Sequence, residues 1–289
     1  MRVLVATDGS ADAKAAVEWT RRLPLADDAR FLVVSVIPRP AAPDQPDWVT
    51  TERQIRVHEA HEAIDEACKL LGAWAASRLA EGDAREEIVA AAIDWAADLI
   101  VLGARGLSAV KEFLLGSVSL GVARHAPCPV LVCKGSPRSV HTITIAHDGS
   151  PGAREALRLV AGLPLLPATR LRIVGVAPPM RYPPTAPEII GGALRGAVAD
   201  VERERCAALE RTLTPELATL RARVSTADLS IAVGQPASEI LRYADVTDTD
   251  LLVVGARGLG TMKRLLLGSV SEAVLRHAAC PVLVVRGRA

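Results

Sequence analysis

The chain has 289 residues, half of them hydrophobic but only 3% aromatic, and carries a formal charge of +1. That length suits two domains of roughly 100 to 200 residues each, and the near-neutral balance supplies no basic field for DNA or RNA. No stretch approaches about 18 uncharged apolar residues, the N-terminus shows no leader pattern, and the five cysteines form no C-x-x-C pair, so a cytoplasmic, reduced, non-membrane protein is expected.

In chain order, the first half predicts a strand over Arg2 to Thr7, a helix over Ala11 to Leu23 and a strand over Arg30 to Ile37. A Pro-rich loop with Pro38, Pro40, Pro43 and Pro46 then leads to one long helix, about Thr51 to Ala80, built of Ala, Leu, Glu, Arg and Lys. There follow a helix near Arg85 to Ala96, a strand over Asp98 to Leu102, a glycine-rich loop, a helix over Ser117 to Arg124 and a strand over Pro129 to Lys134. The second half places strands near Thr142 to Ala146, Arg170 to Val176, Arg223 to Val233, Asp250 to Val254 and Pro281 to Arg286. Strands alternating with helices imply right-handed crossovers and parallel sheets covered on both faces. The fold class is therefore α/β, an open-sheet sandwich made twice.

The two halves repeat one another. Gly103-Ala-Arg-Gly106, nine residues, then Gly116-Ser117 recurs 152 residues on as Gly255-Ala-Arg-Gly258, nine residues, Gly268-Ser269. Arg124 to Val132 answers to Arg276 to Val284, and Asp8-Gly9-Ser10 answers to Asp148-Gly149-Ser150 at a spacing of only 140. The cut falls between Gly135 and Val140, giving domains of residues 1–137 and 138–289. The first half is 12 residues short before Gly82, which pairs with Gly234. Because Leu70 to Glu81 reads as continuous helix, the shortfall is assigned to the strand Arg223 to Val233, and the first sheet is expected to lack one edge strand.

Chemistry concentrates in the repeated positions. In an open parallel sheet, ligands bind beyond the carboxyl ends of the strands where the strand order reverses, so the turns after Asp8 and Gly103 should share a crevice. Glycines let a backbone approach a phosphate closely, and Gly116-Ser117 before a helix sets free N–H groups at its positive end. Asp8 and Asp148 are candidates to accept from a ribose hydroxyl or base amine, or to help hold Mg2+, while Asp-Gly-Ser also suits a helix cap. Arg105 and Arg257 stand inside the loops, within reach of phosphate or simply solvated, and Lys111 and Lys263 match in the same way. Glu112 in the first loop stands where Arg264 stands in the second, so the second loop is expected to bind more tightly.

Other residues carry plainer readings. His125 and His277 fall at helix ends, where a cation caps, and His58-Glu-Ala-His61 lacks the spacing of a zinc protease. Trp19, Trp74 and Trp95 are expected in the core, and Cys128 and Cys280 as small buried apolar side chains.

On these motifs the chain resembles the universal stress protein family in its tandem two-domain form, and specifically the ATP-binding branch marked by G-x2-G-x9-G-[ST]. The resemblance implies an adenine nucleotide α-hydrolase-like α/β sandwich with a five-stranded parallel sheet. It implies ATP contacts at Asp8, Gly103, Gly106, Gly116, Ser117, Val118 and Ser119, and at Asp148, Gly255, Gly258, Gly268, Ser269, Val270 and Ser271. A contact at the end of the second strand would fall near Ile37 and Ala177. Family members pair through their final strands, so Val130 to Cys133 and Val282 to Val285 are expected to meet across a pseudo-two-fold inside one chain, with a homodimer left open.

The function so implied is an ATP-binding, nucleotide-dependent stress-response or signalling protein, with ATP and Mg2+ as ligands and little or no catalysis. The sequence carries neither the H-x-G-H of nucleotidyltransferases nor the G-x4-G-K-[ST] of a P-loop. A slow ATPase and an interaction module with vestigial sites stand as alternatives.

Overall fold

A computed structural model of the chain describes residues 1–39, 47–107, 115–179, 191–259 and 267–287. The first half runs β1 (Arg2–Ala6), α1 (Ala11–Thr20), β2 (Arg30–Ile37), α2 (Asp47–Leu71), β3 (Ala75–Glu81), α3 (Ala84–Asp94), β4 (Leu99–Gly103), α4 (Ser117–His125) and β5 (Val130–Cys133). The second runs β6 (Thr142–Ala146), α5 (Pro151–Ala161), β7 (Arg170–Ala177), α6 (Gly191–Arg221), β8 (Thr226–Val233), α7 (Pro236–Val246), β9 (Leu251–Gly255), α8 (Ser269–His277) and β10 (Val282–Val285).

The ten strands form one sheet in the order β3-β2-β1-β4-β5-β10-β9-β6-β7-β8. Within each half every pairing is parallel, and the order reverses between β1 and β4 and between β6 and β9. At the centre β5 and β10 pair antiparallel, with Leu131 opposite Leu283. The halves therefore run in opposite directions, and their carboxyl edges open on opposite sides of the sheet.

Successive strand residues point to opposite faces, and both faces are covered. Val3, Val5, Leu99 and Val101 pack with Ala16 and Val17 of α1 and Ile64 of α2. Leu4, Ala6, Ile100 and Leu102 pack with Ile88 of α3 and Val122 of α4. The second half repeats this, with α5 and α6 on one face and α7 and α8 on the other. Continuous apolar strands are what a doubly covered parallel sheet requires.

The first half does not lack a strand. β3 pairs in parallel with β2 from Phe31–Ala75 to Ile37–Glu81, as β8 pairs with β7. The helix expected to reach Ala80 stops at Leu71, where Gly72 takes φ +87, the left-handed conformation that commonly ends helices. Ala75 to Glu81 is composed of helix formers, but the β2 edge offers backbone partners over seven registered positions, and that pairing overrides local preference. Part of the length difference lies instead in α6, with 31 residues against 25 in α2.

Of the tryptophans, Trp19 is buried as expected, and Trp95 is partly buried against the core. Trp74 is not in the core: it is 66% exposed in the turn before β3, with the Arg30 guanidinium 5.8 Å from its ring centroid.

Reciprocal caps reinforce the central seam. Lys134, just after β5, donates to the carbonyls of Leu275, Arg276 and Ala278 at the end of α8, at 2.7, 3.3 and 2.9 Å. Arg286, just after β10, donates to the carbonyls of Ala123 and Arg124 at the end of α4, at 3.2 and 2.9 Å. Each cation satisfies the final carbonyls of a helix in the other half. Burial pulls the Lys134 ammonium down to about 8.

Candidate functional site

In the second half, β6 runs out into the turn His147-Asp148-Gly149-Ser150. Ser150 Oγ accepts from the Ala153 N–H at 3.2 Å, capping α5, and donates to the Arg257 carbonyl at 3.4 Å. Asp148 Oδ1 accepts from the Ser150 N–H at 3.0 Å, and Oδ2 accepts from the Leu259 N–H at 3.1 Å. One carboxylate thus ties the first turn to the glycine loop after β9. The closeness dictates two glycines: a Cβ on Gly258 would stand 2.5 Å from Asp148 Oδ2, and one on Gly255 2.7 Å from the Gly152 backbone.

The loop returns through buried Leu267 to Gly268, whose N–H donates to the Ala256 carbonyl at 2.8 Å. Gly268 is the N-cap of α8 and offers no side-chain acceptor. The Glu272 N–H is bonded to the Gly268 carbonyl, leaving the N–H groups of Ser269, Val270 and Ser271 without intrahelical acceptors at the positive end of the helix. Such a terminus receives an anion readily.

These groups line a cavity of about 690 Å³. Asp148, Arg205, Arg257, Ser269 and Ser271 are among its polar lining residues, and Val174, Val176, Leu209 and Ile240 form its apolar wall. It lies at the carboxyl edge beside the β6–β9 reversal, where such a fold places its ligands.

The first half repeats the frame. Asp8 accepts from the Ser10 and Leu107 N–H groups, each at 3.1 Å, and Ser10 Oγ donates to the Arg105 carbonyl at 3.4 Å. A Cβ on Gly106 would stand 2.5 Å from Asp8 Oδ2, and one on Gly103 2.6 Å from the Asp12 backbone. Gly116 caps α4 with no side-chain acceptor. One difference is sharp: Arg105 forks onto Asp12 at 3.0 and 3.3 Å, whereas Gly152 stands at the position of Asp12 and Arg257 is exposed, with no ion pair among the described residues.

The structure brings Asp8, Gly103, Arg105, Gly106, Gly116, Ser117 and Val118 together, and likewise Asp148, Gly255, Arg257, Gly258, Gly268, Ser269 and Val270. Ser271 also lines the cavity, and the Ser119 and Ser271 hydroxyls donate to the Gly103 and Gly255 carbonyls at 2.7 and 2.6 Å, bracing the loop. Ala177 ends β7 and lines the cavity, its carbonyl accepting from the Gly234 N–H at 3.1 Å. Ile37 ends β2 with the same bond from Gly82 at 3.0 Å. Lys111, Glu112, Lys263 and Arg264 lie outside the described residues, and so does the comparison of the two loops that used them.

Among the histidines, the His125 ring donates to the Gly121 carbonyl at 2.8 Å near the end of α4. His58 lies 3.4 Å from Glu62 on exposed α2. No group of three metal-ligating side chains occurs among the described residues.

Two features escaped the sequence reading. His147, at the position of Thr7, is only 3% exposed; its Nδ1 accepts from the Gly149 N–H at 3.1 Å, so the proton sits on Nε2, which is buried without a partner among the described residues. Burial holds this imidazole below its ordinary range, against the opposing pull of Glu216 and Asp148. Aligning the two openings exposes the Thr-to-His change. The apolar wall from α6 and α7 carries no motif at all.

Comparison with known proteins agrees with this architecture. The sequence pattern described as "Universal stress protein family" matches residues 1–134 and 139–286. A universal stress protein of Mycolicibacterium smegmatis is 31% identical over 309 residues, spanning 99% of this chain and 97% of that one. One from Thermus aquaticus is 39% identical over 150 residues, spanning 50% of this chain and 98% of its own length. The solved structure of a universal stress protein from Archaeoglobus fulgidus superposes with a TM-score of 0.67 at 23% identity, covering 99% of this chain and 96% of that one, a likeness of fold. Two matched segments on two equivalent half-sheets make this chain a member of the universal stress protein family in its tandem two-domain form.

Proposed function

We propose that the second crevice binds ATP with Mg2+, and that the protein works as a nucleotide-responsive stress or signalling protein rather than as a catalyst. The observation that carries this reading is the continuity of the 690 Å³ cavity, which joins an uncapped helix N-terminus to an apolar chamber. A nucleotide has matching ends, a polyanion and a flat, largely apolar ring. The volume falls in the roughly 300 to 1,000 Å³ range of small-molecule sites.

In this reading Gly268, Ser269 and Val270 present N–H groups to phosphates, Arg257 adds charge, and Ile240, Val174 and Val176 enclose the base. Asp148 keeps lone pairs for a ribose hydroxyl or for Mg2+, which commonly takes one or two carboxylates together with phosphate oxygens. Asp8, Gly103, Gly106, Gly116, Ser117 and Val118 play the same parts in the first half. His147 Nδ1, the other group able to act as a base, is engaged by the Gly149 N–H, and this reading assigns no residue to catalysis.

The test is to denature freshly purified protein, identify released nucleotide by chromatography, and titrate the stripped protein with ATP and Mg2+. Gly268→Ala is the control, because its Cβ would have its nearest neighbour at 3.4 Å, an ordinary contact that spares the fold. It is expected to weaken second-site binding roughly tenfold or more by blocking close approach of a phosphate to the backbone. No released nucleotide and no heat on titration would leave an interaction module with silent loops.

A further inference from the structure

We infer that the two crevices differ in the phosphate tail they take: the second suits a nucleoside triphosphate, and the first, whose loop arginine is held by Asp12, discriminates against it. This rests on the reading that both crevices bind adenine nucleotides.

The Asp12–Arg105 fork is well placed to persist. Both side chains are partly shielded, at 23% and 36% exposure, and Asp12 sits in the first turn of α1, where the helix field favours a carboxylate. The bidentate pair takes up two of the five N–H donors of Arg105 and offsets the charge it would offer a phosphate. An incoming anion at the first loop therefore meets an arginine already neutralised and a carboxylate that repels it.

The second crevice excludes this arrangement. A Cβ at Gly152 would stand 2.5 Å from the Arg257 carbonyl, so the loop lies against α5 too closely for any acidic side chain there. Arg257 is exposed, with no ion pair among the described residues. Its charge is felt by Arg286, which burial first and Arg257 second hold below the usual arginine range. Two neighbouring guanidiniums raise the local potential, and an anion relieves it. Because each added phosphate adds negative charge, the difference between the crevices should widen from AMP to ATP.

Isothermal titration of the full chain with ATP and with AMP, each with Mg2+, tests this on the wild type, Asp12→Asn, Arg105→Gln and Arg257→Gln. The wild type should show a tight and a weak ATP class, separated roughly tenfold or more, the worth of about one charge-assisted contact, and a smaller separation for AMP. Arg257→Gln should weaken only the tight class. Asp12→Asn should tighten the weak class, whereas Arg105→Gln, which leaves Asp12 unneutralised, should weaken it further. Opposite signs mark an electrostatic origin; a merely structural fork would make both variants bind worse, and that result overturns the inference. Two indistinguishable ATP classes in the wild type also overturn it while leaving nucleotide binding intact. No ATP binding in any variant removes the nucleotide reading itself.

Discussion

Gly255, Gly258 and Gly268 belong to one motif but answer to different neighbours. A methyl at Gly255 would collide with the α5 backbone at 2.7 Å, and at Gly258 with the Asp148 carboxylate at 2.5 Å, while at Gly268 it meets nothing closer than 3.4 Å. Gly255→Ala should therefore destabilise the fold by about 1 to 3 kcal/mol, the usual cost of overpacking, and Gly268→Ala by well under 1 kcal/mol, as read by chemical denaturation. Ser271→Ala strips the Gly255 carbonyl of its 2.6 Å hydroxyl donor and should cost about 1 kcal/mol. Which residues would gather was legible from the repeat, because the same letters at the same spacing imply the same turn twice. Which way Ser119 and Ser271 point was not, since a motif specifies positions and leaves hydroxyl direction to packing. His147 was missed for a related reason: it sits where the halves differ, and a reading built on identities passes over differences.

At the level of elements, the strands β1, β4, β6 and β9 were found nearly to the residue, because runs such as Leu-Ile-Val-Leu buried on both faces have no other stable use in this pattern. β3 was lost because its residues are helix formers, and its stability comes from pairing with β2, a partner more than 30 residues earlier that local propensity does not register. Gly72 was the available signal, a left-handed stop between two helix-like stretches. Gly72→Ala forces a side chain into φ +87 and should cost about 1 kcal/mol, measured as a lowered midpoint of thermal unfolding. The surroundings of Gly72 are open, with no atom within 4 Å of an added Cβ, so the loss would report backbone conformation and not crowding.

Across the whole molecule the seam couples the halves through charges as well as strands. Glu272 on α8 pairs with Arg124 on α4 at 2.7 Å and with Arg276 at 2.9 Å. The Arg124 hydrogen bond, followed by that of Arg276, holds its carboxyl below the ordinary 4.5 despite partial burial. A lowered carboxyl value means the unfolded chain takes up the proton first. Its stabilising contribution is complete above about pH 4.5 and is lost as the pH falls through the lower folded value. Glu272→Gln should flatten the decline in stability below pH 4.5 relative to wild type, as followed by denaturation midpoints across an acid series. The family resemblance made the pairing of β5 with β10 foreseeable, while the crossed caps from Lys134 and Arg286 depend on three-dimensional placement that no local pattern encodes.

Joining both half-sheets in one polypeptide frees them from a rule that binds any pair of identical chains. In a two-fold dimer every substitution appears twice, so a change that suits one site is imposed on the other. Here Asp12 and Gly152 occupy equivalent places with opposite consequences for charge, and Thr7 and His147 have likewise diverged. Each half can drift separately while the chain between Cys133 and Thr142 holds them at a fixed ratio of one to one and keeps the β5–β10 pairing undiminished by dilution. The covalent link is thus what permits inequality between two copies of one design.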